Sequence, residues 1–95
     1  MPQGHITLTP STTVEAGANL LIEYENATKA NQLVTLTAHN SGGLSEEIQI
    51  QLDGQGKGCV YWTVPVTGWT TATVEDDLDA PPQSVAVIAP GGGEV

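Results

Sequence analysis

The chain has 95 residues, enough for one domain with a modest core and too few for a second. Eleven acidic residues face two lysines, Lys29 and Lys57, with no arginine, giving a net charge of −9 and a sequence pI near 4.1. Nucleic acid and anionic membrane surfaces are excluded as partners, because both need cationic side chains against phosphate; solubility and a basic protein partner are favoured instead.

Aromatic residues make up only 4% of the chain and Phe is absent, so the interior must be built from Val, Ile, Leu and Ala. The opening segment MPQGHITLTP has neither a basic start nor an apolar run, and no secretory signal is read in it. No stretch is long enough to span a bilayer as a helix.

Period-two alternation recurs along the chain, and no segment carries a sustained helical stripe. HITLT sets Ile6 and Leu8 on one face, and Pro10 ends that run. After a turn at Gly17, NLLIEYE turns Leu20, Ile22 and Tyr24 inward. LVTLTAHN alternates Val34, Leu36 and Ala38 against Thr35, Thr37 and His39. EEIQIQL alternates Ile48, Ile50 and Leu52 with Gln49 and Gln51. The glycine-rich DGQGKG reads as a hairpin turn that returns the chain through Val60, Trp62 and Val64. TTATVED supplies a sixth strand with Ala72 and Val74 inward, and SVAVIA a seventh with Val85 and Val87 inward, stopped by Pro90. The expectation is an all-β domain over residues 1–95, with short tails at 1–4 and 90–95, in which about seven antiparallel strands pack as two sheets.

Cys59 is the only cysteine, so no disulfide forms within the chain, and with no base beside it in sequence it reads as an inert thiol. His5 and His39 are the only candidate catalytic bases, and both fall on outward strand positions. Neither they nor GQGKG, which lacks the Lys-Ser/Thr and helix of a phosphate loop, make a catalytic constellation. No enzyme and no cofactor are expected. Trp62 reads as a plug between the sheets. Trp69, after Gly68, reads as a cover over one edge, with an exposed partner anchor as the alternative.

One segment invites a metal. VEDDLDAPP gathers Asp76, Asp77 and Asp79 in the connection before the last strand, where oxygens could converge on calcium. Three carboxylates fall short of its 6 to 8 ligands, however, so a solvated turn stiffened by Pro81 and Pro82 is the favoured reading.

VEAGANLLIEY, LDGQGKGCVYWTVP and SVAVIA resemble strands of bacterial and phage immunoglobulin-like domains, which carry a glycine before an apolar strand, a comparable hairpin and a Val-rich closing strand. The resemblance implies an immunoglobulin-like β-sandwich that works by binding. A lone acidic module without a disulfide or export signal fits a virion component of a tailed bacteriophage, a decoration protein on the outer capsid. Its partners would be capsid or other virion subunits, with self-association on the target compatible. The alternative is a spacer or carbohydrate- or cell-surface-binding domain of a bacterial adhesin or secreted enzyme, placed extracellularly or on the bacterial surface.

Overall fold

Every segment with alternating polarity forms a strand in the computed structural model, which describes residues 4–40, 42–76 and 80–88. In chain order the strands are β1 (His5–Thr9), β2 (Thr13–Glu15), β3 (Asn19–Glu25), β4 (Leu33–His39), β5 (Ser45–Gln51), β6 (Lys57–Thr63), β7 (Thr71–Asp76) and β8 (Ala80–Ile88), with a single 3-10 turn at Ala27–Lys29. They make two sheets, ordered β1-β3-β6 and β2-β8-β7-β4-β5. The sheets approach each other through β1 and β8 along one side and through β5 and β6 along the other.

The inward faces follow the alternation. Leu20, Ile22, Leu36, Ile50, Val64 and Val74 are fully or almost fully buried, and they join Ile6, Leu8, Val34, Ala38, Ile48, Leu52, Ala72 and Val85 in one cluster. Each aliphatic side chain taken fully out of water contributes roughly 1.5–3 kcal/mol. The two indoles thicken this light core: Trp62 and Trp69 meet edge to face, with ring centroids 5.2 Å apart.

Four sequence expectations need correction. First, there are eight strands among the described residues, because Thr13–Glu15 adds a short one with a single inward residue, Val14, too brief for alternation to reveal. Second, that strand runs parallel to β8, so the pairing is not antiparallel throughout. Third, the DGQGKG turn does not close a paired hairpin: β5 pairs with β4 in one sheet and β6 with β3 in the other, so the turn crosses between sheets. Fourth, β8 begins at Ala80 and runs through Pro81 and Pro82. The prolines are accommodated because the β7–β8 register slips between Val74 and Asp76, leaving them opposite no ladder partner.

Two crossings between the sheets, the β3–β4 connection and the β5–β6 turn, lie side by side and bond to each other. Asn26 N donates to Gly56 O at 2.8 Å, Asn31 N to Asp53 O at 2.8 Å, and Leu52 N to Gln32 O at 2.9 Å. Gly56 is required there twice over. Its φ is +81°, and a Cβ on it would stand 2.2 Å from the Asn26 carbonyl oxygen.

Candidate functional site

Most of the buried polar chemistry sits at the end of the molecule where these crossings meet. Tyr24, at an inward position of β3, donates its hydroxyl hydrogen bond to Oδ2 of Asp76, the last residue of β7. Asn26 Nδ2 donates to the Tyr24 hydroxyl at 3.0 Å, and Lys29 Nζ approaches the same Asp76 oxygen at 3.4 Å. Asn26 also caps the 3-10 turn, its Oδ1 accepting from Thr28 N at 3.0 Å and Thr28 Oγ1 at 2.6 Å. Burial raises the Tyr24 hydroxyl above the usual phenol value, and the Asp76 carboxylate beside it pushes in the same direction. Such an arrangement locks β3, β7 and the crossing together. It presents no nucleophile paired with a base, and its polar atoms are occupied with one another.

This changes the reading of the acidic segment. Asp76 is only 3% exposed and is held by Tyr24 and Lys29, so it belongs to the buried lock and not to a solvated turn. Asp77 and Asp79 lie outside the described residues. Among the described residues no group of His, Cys, Asp and Glu is arranged to hold a metal ion. The sequence carried a usable signal for Asp76: the alternation through Ala72 and Val74 reaches it two residues on, at an inward position.

The histidines are not brought together. His5 is exposed on β1, where Glu25 faces it across the ladder. His39 ends β4 in the other sheet, at the opposite end of the molecule, with Nε2 2.5 Å from Glu75 Oε2. Cys59 is exposed on the outward face of β6, and Tyr61 stands exposed beside it on the same strand. A shallow depression on the outer face of the three-stranded sheet is lined by His5, Thr7, Glu23, Glu25 and Lys57, and a larger one on the five-stranded sheet by Thr35, Thr37, Glu47 and Glu75.

Trp69 is 7% exposed and packed on Trp62, so it covers the core and is not itself an exposed anchor. Exposed apolar side chains lie on loops at the same end instead. Leu44, in the β4–β5 loop, is 49% exposed and Val66, in the β6–β7 loop, 67%. The Leu44 side chain lies over the backbone of Gly68 and that of Val66 over Gly17, each glycine with a positive φ. Asn40, itself buried, ties these loops together: its Oδ1 accepts from Gly42 N at 2.8 Å and Leu44 N at 2.9 Å, while its Nδ2 donates to the Gly68 carbonyl. Sequence reasoning missed Asn40, whose partners in the two loops no spacing in the sequence reveals.

Comparison with protein-family models, with curated proteins and with solved structures returned no match.

Proposed function

We propose that this protein is a non-enzymatic binding module with an immunoglobulin-like arrangement of strands, and that it attaches to the outer capsid of a tailed bacteriophage as a decoration protein. The fold part of the reading is supported by strand order. Three-stranded β1-β3-β6 opposes β2-β8-β7-β4-β5, with consecutive strands crossing between sheets at β3–β4 and β5–β6, as immunoglobulin-type sandwiches divide their strands. The disulfide of antibody domains has no counterpart here, and an aliphatic core with two indoles packed edge to face takes its place.

The observation that carries the binding role is the exposure of Leu44 and Val66 on two uncharged loops that Asn40 ties together. Leu33 and Tyr61, the other large apolar residues exposed among the described residues, lie on strands; Leu44 and Val66 stand on loops tied by a buried asparagine, where contact with another surface would use them. A capsid lattice offers such surfaces in many copies, and a module seated across subunit boundaries would resist their separation.

Quantitative mass spectrometry of virions purified from the source tests this. The chain is expected at a copy number comparable with that of capsid subunits. Its absence from washed particles would overturn the virion assignment.

A further inference from the structure

We infer that the end of the molecule formed by the β2–β3 turn, the β4–β5 loop and the β6–β7 loop is a docking site for a protein surface that offers apolar contacts bordered by Lys or Arg. The inference rests on the binding-module reading and names the contact surface and the chemistry of its partner.

Charge is distributed unevenly along the molecule. Residues 58–74, which supply the β6–β7 loop, contain no charged side chain in a chain of net charge −9. Both lysines lie at the opposite end: Lys29 in the β3–β4 crossing beside Asp76, and Lys57 at the start of β6, 3.9 Å from Glu25. Around the apolar end stand Glu15, which closes β2, and Glu46, near the start of β5; both are exposed. Glu46 is held in place by Trp62, whose Nε1 donates to its Oε1 at 3.1 Å.

Leu44 and Val66 are thus uncharged side chains exposed on neighbouring loops of this end, with carboxylates at its border and both lysines at the far end. Protein interfaces use that pattern, an apolar core that excludes water within a polar rim. The complement of this rim is cationic. The overall negative charge would draw such a partner in, and the attraction would weaken with salt. Leu44 is also preorganised. Asn40 ties the two loops at Gly42, Leu44 and Gly68, so Leu44 has little conformational freedom left to lose on contact.

The test is selection from a displayed library of random peptides with the intact protein as bait, followed by affinity measurement against two variants. One is the double substitution Leu44→Ser/Val66→Ser; the other is Thr7→Glu, on the outer face of β1 at the opposite end. Both sites are exposed, and circular dichroism and a melting curve check that each variant folds.

The expected result is enrichment of peptides with an apolar centre and Lys or Arg flanks, whose affinity falls at least about tenfold for the double variant and is unchanged for Thr7→Glu. Failure to enrich any peptide, or enriched peptides that bind the double variant as well as the wild type, would overturn the proposal. Enrichment that appears only after removal of residues 89–95 would assign this surface to the chain's own C-terminal segment and overturn it equally. Absence of the chain from virions would remove the capsid reading and leave these peptide results unchanged, so the two failures are distinguishable.

Discussion

Tyr24 and Gly56 carry more of the structure than their neighbours, for different physical reasons. Tyr24 satisfies a carboxylate that the fold has taken out of water, so Tyr24→Phe removes a bond to a charged group and leaves Asp76 short of a partner. The expected cost is about 1.5–3 kcal/mol in chemical denaturation. The same substitution changes the pH dependence. The phenol is raised above its ordinary value of 10.0 in the folded state by burial and by Asp76, so its contribution is intact below that pH. Above it the unfolded chain gives up a proton that the folded chain retains, and stability falls as pH rises. Melting curves across that alkaline range should decline for the wild type and flatten for Tyr24→Phe. At Gly56, alanine would meet both an unfavourable positive φ and the Asn26 carbonyl. Gly56→Ala is expected to lose at least about 2 kcal/mol or to fail to accumulate as folded protein, which soluble yield and denaturant midpoint will show.

Among the elements, those that alternate cleanly were legible and those defined by long-range pairing were not. Ile22 in β3, Leu36 in β4 and Ile50 in β5 lie where a period of two puts them, because each strand has one face on the core and one in water. The three residues of β2 give no period to detect, and its parallel pairing to β8 depends on where the chain returns some seventy residues later. The β5–β6 turn was misread for a related reason. Its glycines and the Asp53 side chain, which accepts from Gln55 N at 2.8 Å and Lys57 N at 3.0 Å, specify a tight turn without specifying whether the strands on either side share a sheet. In the candidate site, Trp69 and Asp76 were singled out by type and by charge. Their burial was decided by partners distant in sequence, Trp62 and Tyr24. An energetic check at this scale is Trp69→Ala, which opens a cavity beneath the β6–β7 loop and unstacks Trp62. A loss of about 3–5 kcal/mol is expected, with a change in tryptophan fluorescence.

For the whole molecule, the two ends differ in charge: one is closed by a buried polar lock with both lysines close by, and the other carries uncharged loops with acidic residues at their border. A net charge of −9 on a chain of this size repels itself. Moderate salt should therefore raise the melting temperature of the isolated protein, a shift that calorimetry in dilute and in about 0.5 M sodium chloride will reveal. Salt should act oppositely on attachment to a cationic partner, so stability and binding are expected to respond to ionic strength with opposite signs.

In the role proposed above, the protein holds onto a capsid and strengthens it. The most direct measurement is the temperature at which virions release their genome, compared between particles that carry the chain and particles made without it. Release is expected at a lower temperature when the chain is missing, with restoration when purified protein is added back. Equal release temperatures with and without the chain would contradict it.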